Sequence, residues 1–198
     1  CSAAPQAHGL RISGVPVDGE GLVVDALPAG TRLVLVAPSH QYPLGPALSL
    51  PRRIALLDWA HRHDAAIVED DYDSEFRYAG APLPSLRTLD VDGRVVYVGT
   101  FSKTLFPALR MGYVIVPSHL VDAFRAARGV SGRHAPGAQQ AVLAEFVEGG
   151  HYERHLRRMR ALYQERRAVL LDHGRARIGG LDFRPHDGHA AATLTESG

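Results

Sequence analysis

Three scarcities narrow the class of this protein before any motif is considered. A single cysteine, Cys1, stands among 198 residues, which excludes an internal disulfide and a zinc site built from cysteines. No apolar run reaches the roughly 18 residues that a membrane span needs. Neither sign of charge dominates, since 22 basic residues face 21 acidic ones, so we do not expect this segment to bind nucleic acid. The length corresponds to one globular domain and part of another.

Lysine is nearly absent as well, because the 22 basic residues are 21 arginines and the single Lys103. One interpretation is that codon bias left this lysine by chance and that it reaches into solvent. The other is that position 103 requires an amine, because a guanidinium does not lose its proton at accessible pH. Beside Phe101, Leu105 and Phe106 we expect the amine to be partly desolvated, with a lowered pKa, and able to form a Schiff base.

Short apolar runs alternate with amphipathic stretches along the chain. The first run, 31–37, is nearly continuous and is expected to be buried on both faces of a sheet. Strands that alternate with helices indicate an α/β fold whose mostly parallel sheet is flanked by helices. The predicted strands are 31–37, 65–68, 94–98 and 112–117, and the predicted helices run from a cap at Ser49 to about 63, over 118–128, from Pro136 to Gly149 and over 151–173.

Polar residues follow three of the predicted strands at the point where each strand ends. Residues 39–41 follow the first strand, 70–72 the second and 100–103 the third. Ligands of parallel sheets bind beyond the carboxyl ends of the strands. We therefore expect these three groups of side chains to face one common site.

The second of these groups is acidic, with Glu69, Asp70, Asp71 and Asp73 around Tyr72. Three interpretations stay open from the residues alone: a magnesium site, a solvated loop, or a partner for one bound cation. Asp70 lies at the end of the Ile67-Val68 strand and is the carboxylate that we expect at the mouth of the core.

The third group combines hydroxyls with an amine and a nearby guanidinium. No glycine-rich phosphate-loop pattern occurs in the sequence, whereas the planar fork of Arg110 suits a phosphate. Together the groups match the needs of pyridoxal 5'-phosphate, which proteins hold through a lysine Schiff base and an acid beside the ring nitrogen. The matching groups are Lys103 for the aldehyde, Asp70 for the ring nitrogen, Tyr72 for the ring oxygen, and Thr100, Ser102 and Arg110 for the phosphate.

Three long motifs then carry a family resemblance. They read VAPSHQYPLG over 36–45, EDDYDSEFRY over 69–78 and GTFSKTLFPALRMG over 99–112. With these motifs the chain resembles the aminotransferase-like domain of MocR-type regulators of the GntR superfamily. Those regulators belong to the class I/II aminotransferase superfamily, whose fold is fold type I of the pyridoxal-phosphate-dependent transferases. The resemblance covers residues 8–175 approximately.

The resemblance implies a role for each candidate site residue. Lys103 is the lysine that forms the Schiff base with the cofactor, Asp70 pairs with the pyridine nitrogen, and Tyr72 hydrogen-bonds the ring oxygen. The phosphate is contacted by Thr100, Ser102 and Arg110. Ordinary aminotransferases carry an Asn-Pro-x-Gly turn where this chain has Gln41-Tyr42-Pro43-Leu44-Gly45, after His40.

The same resemblance implies an incomplete fold-type-I unit. Residues 1–150 would be part of the large cofactor-binding domain, and 151–198 the connecting helix with the truncated start of the small domain. The intact protein is then expected to be a cytoplasmic homodimer that acts on or senses an amino acid or amine. DNA would be bound by a winged-helix domain that is absent from these residues. Two alternatives remain, a free-standing class I/II aminotransferase and a metal-dependent α/β enzyme that uses the acidic cluster.

Overall fold

The structure is a computed structural model that describes residues 9–42, 45–78, 83–131, 136–177, 181–185 and 190–194. The strands are β1 (Val17–Asp18), β2 (Gly21–Leu22), β3 (Leu33–Val36), β4 (Ala66–Asp71), β5 (Val95–Thr100), β6 (Gly112–Ile115), β7 (Leu181–Pro185) and β8 (Ala190–Leu194). The helices are α1 (Leu50–Arg62), α2 (Leu86–Leu89), α3 (Val121–Ser131), α4 (Gly137–Glu148) and α5 (His151–Arg177).

The central sheet has the strand order β3-β4-β5-β6. The pairs β3–β4 and β4–β5 are parallel, whereas β6 is antiparallel to β5. The predicted α/β class is therefore confirmed, but the sheet is mixed. The segment 101–111 between β5 and β6 has eleven residues and no crossover helix. A parallel connection needs a dozen residues or more, usually with a helix, so the chain turns back instead.

The four predicted strands and the four predicted helices are all present, with boundaries that shift by a few residues. Ser49 caps α1 as expected, since its hydroxyl accepts a hydrogen bond from the amide of Arg52 at 3.4 Å and Pro51 lies in the first turn. The hairpins β1–β2 and β7–β8 have no counterpart in the sequence prediction. None of the helices in the described ranges is both long and apolar enough to cross a bilayer.

The hydrophobic core covers only one face of β3. Val34 and Val36 are buried, while Leu33 and Leu35 are 50% and 54% exposed. The prediction that this strand is buried on both faces is wrong for the described chain, because its side chains alternate and the core lies on one side. The core comprises Leu22, Val24, Val34, Val36, Leu48, Leu56, Trp59, Ala60, Ala65, Ile67, Leu86 and Val95.

A charged side chain, Arg53 of α1, lies inside this core and is 1% exposed. Its guanidinium donates to three backbone carbonyls: those of Leu48 at 2.9 Å, Pro84 at 3.0 Å and Pro38 at 2.8 Å. Two of these carbonyls, those of Pro38 and Leu48, lie near the two ends of the loop between β3 and α1, and that of Pro84 lies in the segment before α2. Arg53 therefore fixes the loop that leads from β3 to the first predicted polar group.

Candidate active site

The register of the sheet places the strand ends that carry or precede the predicted site residues at one edge. Asp70 on β4 pairs with Val98 of β5, so β5 continues two residues further, to Thr100. Thr100 pairs in turn with Gly112 at the start of β6, and Arg110 lies two residues before it. Neighbouring strands are about 4.8 Å apart. The structure thus brings the ends of β4 and β5 and the approach to β6 together.

Asp70 is the acidic residue at this sheet edge whose side chain has no hydrogen-bond partner among the described residues. Its side chain is half-buried, and within the described ranges no hydrogen bond reaches it. Burial is the main cause that raises the pKa of Asp70, followed by the charges of Asp71 and Asp73. A carboxylate in this environment gains most from a cation placed beside it.

The other three acidic residues of the cluster, Glu69, Asp71 and Asp73, are buried and already hydrogen-bonded. Across the described part of the chain, no group of three or more histidine, cysteine or acidic side chains could hold a metal ion. The magnesium interpretation therefore has no geometric support there. The partners are the amides of Leu86 and Arg87 for Glu69 (2.9 and 2.8 Å), the hydroxyls of Ser74 and Tyr97 for Asp71 (both 2.6 Å), and Nδ1 of His40 for Asp73 (2.9 Å).

Tyr72 joins the first and second polar groups. Its hydroxyl donates to the carbonyl oxygen of His40 at 2.9 Å, next to the Asp73–His40 contact. Burial, with the charges of Asp73 and Asp70, raises the pKa of Tyr72, so the phenol keeps its proton. The His40 contacts were not foreseen from the sequence. Pro43 and Leu44, in the turn that departs from the aminotransferase pattern, lie outside the described residues.

Lys103 lies in the turn after β5, and its side chain is exposed. The prediction that apolar neighbours partly desolvate it is wrong for the described chain. The ring of Phe101 packs instead against Tyr113 and Tyr152, with centroid distances of 5.3 and 5.7 Å, and Phe106 is itself 54% exposed. The flanking aromatic rings therefore leave the amine uncovered.

The turn around Lys103 is closed by its own backbone. The amide of Ser102 donates to the Thr100 hydroxyl at 3.1 Å, and the amide of Leu105 donates to the carbonyl of Phe101 at 2.9 Å. The amide of Phe101 donates to the carbonyl of Met111 at 3.0 Å, which ties the turn to the approach of β6. Thr100 and Ser102 therefore lie in a loop at the end of β5 whose conformation is fixed by these hydrogen bonds.

Arg110 lies between this loop and β6 in a left-handed backbone conformation, with φ 51° and ψ 32°. A non-glycine residue in this region carries a strain of about 1 kcal/mol or more. Such residues concentrate at ligand-binding positions. Its side chain is exposed, as is that of Lys103.

An aromatic layer beneath the loop was missed by sequence reasoning. Gly99 allows it, because a Cβ at this position would lie 2.3 Å from Cζ of Tyr113. The ring of Tyr113 lies 6.0 Å from that of Tyr97, whose hydroxyl is bonded to Asp71. Gly99 directly follows the predicted strand 94–98 and lies inside the observed β5, where a glycine marks a close approach of this kind.

Comparison with known proteins decides the family. Residues 19–192 match the family described as Aminotransferase class I and II. The chain belongs to this family. The predicted resemblance is thereby confirmed, and the candidate site lies within the matched segment.

The relatives of this aminotransferase-family chain include regulators. It is 45% identical over 164 residues to the probable rhizopine catabolism regulatory protein MocR of Rhizobium meliloti, covering 82% of this chain and 33% of that protein. It is 42% identical over 193 residues to the HTH-type pyridoxine biosynthesis transcriptional regulator PdxR of Corynebacterium glutamicum, covering 96% of this chain and 42% of PdxR. The chain thus spans well under half the length of these curated relatives.

Solved structures place the chain in the same fold. LysN, the α-aminoadipate aminotransferase of Thermus thermophilus, was solved in complex with N-(5'-phosphopyridoxyl)-L-leucine. It superposes with a TM-score of 0.79 at 30% identity, over 90% of this chain and 48% of LysN. The expected fold type, that of the fold-type-I aminotransferases, is confirmed.

Proposed function

We propose that this chain is the pyridoxal-phosphate-binding, aminotransferase-like part of a regulator that senses an amino acid or amine. One juxtaposition carries the proposal. The only lysine of the sequence follows β5, while the unpartnered carboxylate of Asp70 lies one residue before the end of the adjacent strand β4. An amine and an acid at one sheet edge are the two groups that this cofactor requires of a protein.

The donor set at the edge suits this cofactor. When bound, pyridoxal phosphate supplies an aldehyde for an amine and a ring that withdraws electrons from the substrate. Asp70 fits the ring nitrogen because its charge has no other partner in the described residues. A cation about 3 Å from it gains about 5 kcal/mol at an effective dielectric of about 20, before desolvation. This attraction is large enough to keep a ring nitrogen protonated.

The chain's other groups have complementary tasks in the proposal. Tyr72 keeps its phenolic proton and donates it as a hydrogen bond, here to His40 and in the loaded site to a ring oxygen. Thr100, Ser102 and Arg110 offer two hydroxyls and a guanidinium to a phosphate. Lys103 would hold the cofactor through its Nζ and, when not bonded to it, would carry a proton to and from the substrate.

Sensing is favoured over turnover by the similarity to MocR and PdxR, which are named as regulators. In this proposal DNA is bound by a domain outside these residues, and the intact protein is a homodimer. Residues 1–150 belong to the large domain, and 151–198 are the connecting helix with the start of the small domain. A free-standing aminotransferase is the second candidate, supported by the structural similarity to LysN. The sensor and the aminotransferase are distinguished by whether the protein converts an amino donor and a keto acid into products.

Reductive labelling tests the proposal directly. The chain is mixed with pyridoxal phosphate, its visible absorbance is recorded, and borohydride reduction is followed by peptide mass spectrometry. We expect one phosphopyridoxyl group on Lys103 and none in Lys103→Arg, because a guanidinium keeps its proton. Arg125→Lys adds a lysine on the exposed face of α3 as a control for nonspecific chemistry. Label that is absent from Lys103, or equally strong on the introduced lysine, contradicts the proposal.

A further inference from the structure

Thr104, the residue after Lys103, is held far more tightly than the lysine itself. Thr104 is 2% exposed, while Lys103 is exposed. Its hydroxyl donates to the carbonyl of Phe101 at 3.4 Å, inside the turn. The hydroxyl oxygen and the carbonyl oxygen of Thr104 also need hydrogen-bond donors from outside the turn.

Both outside partners come from the first two turns of α5. The hydroxyl of Tyr152 donates to Oγ1 of Thr104 at 3.0 Å, and Nε2 of His155 lies 2.9 Å from its carbonyl oxygen. A carbonyl oxygen can only accept, so Nε2 of His155 carries the proton. Burial raises the pKa of Tyr152, which keeps its hydroxyl a donor. Residues three apart share one helix face, so a single face of α5 makes both bonds.

Tyr152 also contacts the turn on the other side of the lysine. Its ring meets that of Phe101 edge-on, with centroids 5.7 Å apart and an interplanar angle of 73°. Phe101 precedes Lys103 by two residues and Thr104 follows it. The helix therefore holds the backbone on both sides of the lysine.

The same helix reaches the acidic turn that follows Asp70. The ring of Tyr163 packs edge-on against Phe76 at 5.1 Å, and Nε of Arg160 donates to the carbonyl of Glu75. One rigid element thus contacts the loop that carries the amine and the turn that follows the acid. The spacing between these two loops depends on α5 as well as on the sheet.

We propose that Tyr152 and His155 are positioning residues for Lys103. By fixing the backbone on either side of the amine, they set the direction from which Nζ meets its aldehyde. This inference rests on the proposed function of Lys103. It assigns to the start of α5 a role in the site that its amphipathic pattern alone does not indicate.

The test compares variants of the 198-residue chain. Tyr152→Phe and His155→Leu each remove one donor to Thr104, while His155→Gln keeps an N–H group at a similar place. Tyr163→Phe is the matched control, because it removes a hydroxyl from the same helix that does not contact Thr104. Two rates are measured: reductive labelling of Lys103 by pyridoxal phosphate, and amide hydrogen exchange of peptide 101–106 without cofactor. Circular dichroism verifies that each variant folds.

We expect Tyr152→Phe and His155→Leu to slow labelling about tenfold and to speed exchange of the peptide by a similar factor, since each loses a buried bond. His155→Gln and Tyr163→Phe should stay within about twofold of the parent for both rates. If labelling and exchange both stay at the parental rates in Tyr152→Phe and in His155→Leu, the positioning role is refuted and the proposed function is not affected. Failure of the parent chain to be labelled at Lys103 overturns the proposed function, and the positioning role with it.

Discussion

Replacing Arg53 by methionine tests how the loops around the site are held. Methionine keeps most of the apolar stem and removes all the N–H donors, so the carbonyls of Leu48, Pro84 and Pro38 lose their bonds. A buried polar group left without a partner costs about 1–3 kcal/mol, and the three costs are not additive because the loops can relax. We expect the free energy of unfolding to fall by about 3–5 kcal/mol, a large share of the roughly 5–15 kcal/mol of a typical domain.

Urea denaturation followed by circular dichroism measures this loss, and the same helix supplies a control. Arg62 forms an exposed ion pair with Asp58 at 2.9 Å, and such a pair contributes about 0.3–0.5 kcal/mol. Arg62→Met should therefore change the midpoint little. If Arg53→Met lies within about 1 kcal/mol of Arg62→Met, the three bonds do not hold the loops and the reasoning is refuted.

Two further predictions concern the site itself. The pKa of Asp70 is raised in the folded chain, so folding takes up protons above the ordinary value of 3.8 and stability falls as pH rises through the folded pKa. Asp70→Asn should therefore raise the melting temperature of the cofactor-free chain at pH 7, and this gain should shrink towards pH 3.8. An equal gain at both pH values would contradict the prediction. Gly99→Ala should destabilise the chain because its Cβ meets the ring of Tyr113, whereas Gly129→Ala in α3 meets nothing within 4 Å and should stabilise it by about 1 kcal/mol. Thermal melting that ranks the two alanine variants in the opposite order would refute the close approach.

Several contacts of the site lay beyond sequence reasoning because they join distant segments. Thr104 meets Tyr152 and His155, which are 48 and 51 residues away, and no local pattern encodes that meeting. His40 and Asp73 are 33 residues apart and pair in the interior, although Asp73 reads as one more member of an acidic cluster. The exposure of Lys103 was misjudged for the same reason, since the ring of its neighbour Phe101 packs against the distant Tyr113 and Tyr152.

What the sequence alone determined is local. Alternating apolar runs and amphipathic stretches indicate the α/β class, and polar residues at strand ends predict that Asp70 and Lys103 lie at one sheet edge, because parallel strands share one ligand-binding edge. Only the tertiary structure decided the antiparallel direction of β6, the single buried face of β3 and the bonds from α5 to Thr104. The direction of β6 depends on how it pairs with β5, and burial depends on what covers a surface, so both are decided only where segments meet in space.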